Sequence, residues 1–243
     1  MYYYSLEIKT GAMIMIAISK YHALRCNYGN ARVLNTIKYI VIHYTANDGD
    51  TALSNAKYFA NGSRGASAHY FVDSKNIVQS VKDDYVAWAV GGNKYSDTTK
   101  TGGGKFYGKC NNNNSLSIEI CDDIKNNVIY PTDATINNVI ELVRTLMKKY
   151  NISINNVIRH FDVNGKKCPA YWCGDSQKNA KWQEFKSRLE EKIMKQNIKI
   201  NGKIKTVDAI NKDGYIYIKI RGLSDILNID YDKETKLISV SVK

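Results

Sequence analysis

A membrane-spanning helix needs about 20 consecutive apolar residues, and no stretch of this sequence approaches that. Cysteine is present without a pattern: Cys26, Cys110, Cys121, Cys168 and Cys173 are odd in number and irregularly spaced. That argues against a disulfide-stapled scaffold and for synthesis in a reducing compartment. Cys168 and Cys173 lie close in sequence, but not in the Cys-x-x-Cys arrangement of a redox pair. No run of aromatics interleaved with arginine resembles a nucleic-acid platform. Histidine is scarce as well, at His22, His43, His69 and His160. A lone histidine is usually a core or surface residue, so each needs a reason before it is read as a ligand.

What is abundant is positive charge. Lys and Arg number 35 against 23 Asp and Glu, for a net charge of +12. Such a surface suits a polyanionic partner, whether nucleic acid, an anionic membrane surface or an anionic cell wall. A lysine-rich solvated surface is the plain alternative, and the nucleic-acid reading rests on charge alone. At 243 residues and 44% hydrophobic composition, the chain can bury a sizeable core in one medium domain plus something small, or in one large domain. Gly11 to Ser19 has the length of a signal-peptide core. However, Glu7 lies upstream, Lys20 and His22 follow, and no small-residue cleavage site is evident. It reads as an N-terminal arm or strand, with Met13 or Met15 as alternative starts.

In chain order, residues 1–35 read as irregular, with a turn at Asn27-Tyr28-Gly29-Asn30. Ile37 to Tyr44 is a buried-strand run that carries His43. Thr51 opens a helical segment that stops at Asn61-Gly62. Ser67–Val72 and Asn76–Val81 form a strand pair about a polar turn. Asp84 to Val90 holds Trp88, and Gly91 to Gly104 is a polar, glycine-rich loop. Ser115 to Cys121 alternates, with Leu116, Ile118 and Ile120 on one face and Ser117, Glu119 and Cys121 on the other. Thr132 and Asp133 cap a helix whose apolar stripe runs through Ile136, Val139, Ile140, Val143, Leu146 and Met147. A last helix is expected from Ser176 to about Gln196, with Trp182, Phe185, Leu189 and Ile193 on its stripe. Strands interleaved with helices indicate an α/β domain with helices packed on a sheet. From Ile198 the texture becomes short alternating runs broken by turns at Asn201-Gly202, Lys212-Asp213-Gly214 and Asp232-Lys233. This stretch reads as a second, small β-rich unit or as an extension of the first sheet.

The segment RHFDVNGKKCPAYW places His160 and Cys168 eight residues apart about a short loop. Neutral imidazole and thiolate are both good zinc ligands, and His43, on its buried strand, is the best third. Pro169 biases Cys168 towards an extended conformation. Two histidines and one cysteine leave a tetrahedral zinc with one open position, the catalytic pattern rather than the structural one. A zinc hydrolase also needs a base for its water and a cation for the developing oxyanion. Glu119 and Lys166 are the candidates, although each alone reads as an ordinary surface charge. His22 lies outside the set.

Five ordered segments, IKYIVIHYTA, SAHYFVD, AWAVGG, NNNSLSIEIC and RHFDVNGKKCPAYW, resemble the type-2 amidase family over about residues 36–190. These are zinc-dependent N-acetylmuramoyl-L-alanine amidases that share a fold with peptidoglycan recognition proteins and include many phage endolysins. The resemblance implies a mixed central β-sheet flanked by helices, with a groove above it and Zn2+ at the floor. It matches His43 and His160 to the two histidine ligands, and Cys168 to a third position that other members fill with aspartate. Lys166 falls at the residue that polarises the scissile carbonyl, and Glu119 at the base of one branch. The tyrosine used by another branch is Ala68 here. His69 and Trp88 fall where the family lines its groove, while Ala89 replaces a frequent histidine. By this resemblance the domains are an arm at 1–35, a catalytic domain at 36–195 and a module at 198–243 similar to the N-terminal domain of copper amine oxidases. The implied substrate is bacterial peptidoglycan, of Gram-positive type, with anionic wall polymers as further partners and neither nucleic acid nor a membrane span involved. The protein would be made in the cytoplasm and act on the wall after release or secretion. A recognition module that holds peptidoglycan without cutting it is the competing expectation.

Overall fold

The computed structural model describes residues 17–125, 128–190, 193–200, 202–212, 215–218, 220–232, 235 and 238–243. It divides into two compact units, one ending at Leu189 and the other spanning Glu190 to Lys243. The expected arm at 1–16 lies outside the described residues, as do Asn201, Asp213, Gly214 and Lys233 of the expected turns.

The first unit comprises β1 (Ile18–Lys20), β2 (Tyr28–Ala31), β3 (Tyr39–Asp48), α1 (Ala52–Phe59), β4 (Tyr70–Val72), β5 (Ile77–Gln79), β6 (Tyr85–Ala87) and α2 (Thr98–Thr101). It continues with β7 (Ser115–Lys125), β8 (Val128–Tyr130), α3 (Asp133–Tyr150), β9 (Val157–Arg159), α4 (His160–Asn164) and α5 (Ser176–Leu189). The main sheet has the order β1-β5-β4-β7-β3-β9, with β8 paired to β7. Neighbours β4, β7, β3 and β9 are parallel, and β5 is antiparallel to β4. A parallel centre needs cover on both faces, and the sequence supplies it. Ile40, Ile42, Leu116, Ile118 and Ile120 form the largest core with α3 and α5. Each contributes about 1.5–3 kcal/mol by burial. The opposite face packs Phe71 and Cys121 against α1, and Val41 and Ile158 against Val163 of α4. His43 and Glu119 belong to this second face by strand alternation.

α3 forms where its stripe and caps predict. The Thr132 hydroxyl accepts the Thr135 N–H at 3.2 Å, and Asn151 ends the helix in the left-handed conformation. Asp83 fixes the end of this helix to the sheet margin. It accepts hydrogen bonds from Tyr150 (2.5 Å), Tyr70 (2.6 Å) and Lys149 (2.9 Å) while itself buried. Burial raises its proton affinity, but those donors outweigh it and hold the carboxyl below 3.8. A depressed folded-state pKa contributes stability that is full above the unfolded value and lost as pH falls through the folded one. Urea unfolding should therefore show stability declining below about pH 4, and Asp83→Asn should flatten that limb while lowering stability at pH 7.

Several expectations need correction. The last helix stops at Leu189, because Ile193 instead opens a strand and pairs with Ile210. Residues 17–35 are not irregular, since β1 extends the main sheet beside β5 and β2 pairs with β6. The turn expected at Asn27–Asn30 is absent. Asn27 is buried and clamps Phe59 O, Gly62 O and Arg64 N. Gly29 serves close approach, for a Cβ there would lie 3.1 Å from Trp88 Nε1. Apart from the partly exposed Glu119, the Ser115–Cys121 stretch is buried on both faces because β7 is central.

In the second unit β10 (Ile193–Ile200), β11 (Lys203–Lys212) and β12 (Tyr215–Ile218) form an antiparallel sheet, and β13 (Leu227–Tyr231) pairs with β14 (Ile238–Val242). Among the described residues these strands pair with one another and with none of the first sheet. Val207, Ala209 and Leu223 are the second unit's buried apolar residues among those described.

Candidate metal centre

Parallel pairing of β3 with β7 sets His43 directly beside Glu119, and pairing of β3 with β9 sets Ile42 beside Arg159. The chain then turns into α4 at His160. This turn is locked by Arg159, a buried guanidinium paired with Asp162 at 2.7 Å and bonded to Asn179 Oδ1 at 2.7 Å and to the Trp172 carbonyl. Asp162 Oδ2 also accepts the Arg159 N–H at 2.8 Å. The Phe161 N–H donates to Cys168 O at 3.0 Å, which folds the loop back and returns Cys168 to the side of His160.

His43, His160 and Cys168 thus converge, with their donor atoms all within 4.8 Å of one another and all three side chains buried. Cys168 Sγ lies 3.8 Å from His43 Nδ1, the two imidazole centroids are 4.8 Å apart, and Glu119 Oε1 is 4.0 Å from His43 Nδ1. His43 Nε2, both nitrogens of His160 and Glu119 Oε2 are buried without a hydrogen-bond partner. Buried polar atoms are ordinarily satisfied, so a cluster of orphaned donors asks for an occupant.

Electrostatics point the same way. Burial, then the neighbouring His160 and Lys166, hold His43 well below its ordinary proton affinity. Burial, then Lys166, brings His160 to about 4. Both imidazoles are therefore neutral at pH 7, which is the ligating form. Burial, then Glu119, pushes the Cys168 thiol far up, against the Tyr44 backbone N–H and Lys166. A divalent cation among the three would offset the cost of the thiolate. A buried set of two nitrogens and one sulfur, open on one side, fits zinc. Burial raises Glu119 to about 8, opposed by Lys166 and reinforced by Asp122 and Asp50.

The centre opens through His160 into a groove of about 720 Å³, whose walls include Trp88, Tyr95, Asn112, Asn164 and Lys166. Trp88 is 38% exposed. The loop at 91–104 that forms one wall is not wholly irregular, since it contains α2.

His69 does not line this groove, which corrects the expectation. It is fully buried, with Nδ1 accepting the Ser117 N–H at 3.0 Å and Nε2 lying 2.8 Å from Arg32 and 3.1 Å from Tyr85 O. Burial and then Arg32 lower it to about 3, so it is a neutral structural bridge between strands. His22 lies in a different cavity with Asp83 and Lys149. All five cysteines are free thiols, and Cys173 Sγ faces Pro169 O at 3.1 Å. Sequence alone does not single out Arg159, Asp162 and Asn164. The signal for the first two was an i,i+3 charge pair flanking a histidine, and for the third a position just before Gly165.

Residues 33–171 match the profile of the Amidase_2 family, described as N-acetylmuramoyl-L-alanine amidase. The N-acetylmuramoyl-L-alanine amidase CwlL of Bacillus licheniformis is 36% identical over 146 residues, covering 58% of this chain and 38% of the relative. The amidase BlyA of Bacillus subtilis is 31% identical over 166 residues, covering 66% and 43%. The match thus spans less than half the length of these relatives. Among solved structures, a mutant endolysin from Bacillus subtilis is 29% identical with a TM-score of 0.54, and covers 72% of this chain and all of its own. The catalytic domain of XlyA is 27% identical with a TM-score of 0.55 over the same shares.

Proposed function

Because the chain belongs to the Amidase_2 family of N-acetylmuramoyl-L-alanine amidases, we propose that it hydrolyses the amide joining N-acetylmuramic acid to the L-alanine of the peptidoglycan stem. The observation that carries this reading is the convergence of His43, His160 and Cys168, with Glu119 alongside and His160 and Lys166 lining a groove. In this reading the three residues hold Zn2+, which when bound would acidify water and polarise a carbonyl.

The remaining work falls to side chains. Glu119, with one oxygen enclosed and a raised proton affinity, takes the proton of the water that adds to the lactyl carbonyl carbon. Lys166 on the groove wall places a positive charge where the carbonyl oxygen gains negative charge. As the C–N bond breaks, Glu119 returns its proton to the departing alanine amine, leaving a carboxyl on the sugar side. The exposed indole of Trp88 offers an apolar surface to the bound glycan or peptide.

Gram-positive walls carry anionic polymers that suit a chain of net charge +12. The module expected at 198–243, whose sequence resembles modules named after copper amine oxidases, would grip the wall as an appendage. The protein would reach its substrate as a phage lysin or a host autolysin, after release or secretion. No helix among the described residues is long and apolar enough to cross a membrane.

Digestion of purified Gram-positive peptidoglycan tests the reading, with mass spectrometry of the products. A new free alanine amine is expected, lost with a zinc chelator and restored by zinc. Lysis indifferent to chelator, or binding without a new amine, would turn the assignment towards a different bond or a non-cutting recognition module.

A further inference from the structure

The wall of the groove and the loop that carries Lys166 are separate stretches of chain, yet they are tied together. The Tyr95 N–H donates to Asn164 O at 2.8 Å, the Gly104 N–H to Phe161 O at 3.0 Å and the Phe106 N–H to Asp162 O at 2.8 Å. Asp162 O and Asn164 O lie in the last turn of α4, where a helix leaves carbonyls without internal partners, and Phe161 O accepts the Gly165 N–H as well. The contact has no slack. Gly165 turns the chain at φ +94°, and a Cβ on it would lie 2.5 Å from Thr98 Cγ2 and 3.1 Å from Tyr95 Cβ.

Asn164 sits at the centre of this junction and is itself buried. Its side chain bonds in two directions: Nδ2 donates to Gly91 O at 2.9 Å, and Oδ1 accepts the Lys166 N–H at 3.0 Å. Only a carboxamide of this length does both. Aspartate keeps the acceptor for Lys166 but sets a second acceptor against Gly91 O, and alanine loses both bonds. Neither bond touches the trio of His43, His160 and Cys168.

We propose that Asn164 is a positioning residue that fixes the Lys166 ammonium relative to the groove wall at Gly91–Tyr95. A substrate seated on that wall then presents its scissile carbonyl to Lys166. The inference rests on the amidase reading and adds a residue to it. Misplacement of a reacting group by about 1 Å costs on the order of a hundredfold in rate, so a bond pair that sets this distance acts on kcat.

The test is a double-mutant cycle on the full zinc-loaded chain, with a soluble N-acetylmuramoyl-peptide as substrate. The variants are Asn164→Ala, Asn164→Asp, Lys166→Ala and Asn164→Ala with Lys166→Ala. Asn164→Ala should lower kcat between about tenfold and a hundredfold, change KM less, and leave zinc content intact. In the Lys166→Ala background the same change should cost little more, because residues acting through one another are not additive. Amide hydrogen exchange supplies a readout independent of turnover. The Lys166 amide should lose protection in Asn164→Ala and keep it in Asn164→Asp. Wild-type kcat in Asn164→Ala, losses that multiply in the double variant, zinc loss in both Asn164 variants, or unchanged Lys166 exchange would each overturn the proposal. An inactive wild type would instead defeat the amidase reading, and the exchange result would still judge the bond to Lys166.

Discussion

Replacing Glu119 with glutamine should lower amide turnover by about 10²–10⁴-fold, the usual worth of general acid–base catalysis, and should leave zinc content unchanged. The expectation follows from where the carboxyl stands. Glu119 is a strand neighbour of His43 with Oε1 4.0 Å from its Nδ1, yet it is not one of the three converging donors. Glutamine preserves volume and polarity and removes only the ability to take and return a proton. The second branch of the family, which works with a tyrosine, leaves no substitute here because that slot is the buried Ala68. Steady-state turnover beside zinc content by mass spectrometry measures both halves. A glutamine variant that works at the normal rate would refute the assignment of the base. A stability corollary has the opposite sign from activity. With its pKa raised to about 8 by burial, the metal-free carboxyl costs stability progressively from its unfolded value of 4.5 up to about pH 8. The metal-free glutamine variant should therefore resist urea better than metal-free wild type at pH 8, at the expense of catalysis.

Cys168→Ala should have the other large effect: zinc should be lost and turnover should fall to background. Two imidazoles alone make a poor site, and the variant leaves His43 Nε2 and both His160 nitrogens buried without partners. Each such unsatisfied group costs about 1–3 kcal/mol. On the zinc reading the wild type escapes that cost by binding the ion, since ligand binding to the folded state adds stability by linkage. Chelation should accordingly lower the Tm of the wild type, whereas the Tm of Cys168→Ala should be indifferent to chelator. Cys168→Asp offers a rescue, since it restores an anionic donor of the kind the family resemblance places at this position. It should recover zinc binding in part. Retention of stoichiometric zinc by Cys168→Ala would mean that the thiol is a bystander.

Both predictions use features that a sequence displays well. β3 is legible because Ile40, Val41 and Ile42 make a continuous apolar run, as a strand buried on both faces must. α3 is legible because its stripe, its Thr132 cap and its end at Asn151 agree. The pairing of strands is what carries the site, and periodicity does not encode it. His43 reaches Glu119 through parallel register across 76 residues, and only the ordered motifs hinted at that. His69 shows the converse. A histidine at a groove motif reads as a ligand-binding side chain, but its ring nitrogens are consumed by Ser117, Arg32 and Tyr85 from distant parts of the sequence. Gly29 read as a turn because glycine usually marks one, whereas the actual constraint is the approach of Trp88. The end of the final helix is hard to place from sequence because Ile193 fits both its stripe and the alternating strand that follows. The Asn164 junction was invisible, since its partners Gly91, Tyr95 and Lys166 come from two loops.

Zinc K-edge X-ray absorption on the loaded chain bears most directly on the convergence of the three donors. Two imidazole nitrogens at about 2.0–2.1 Å, one sulfur at about 2.3 Å and one light oxygen are expected, with the sulfur shell and the bound metal both lost in Cys168→Ala. A shell with no sulfur, or one with several sulfurs and no imidazole, would contradict the account.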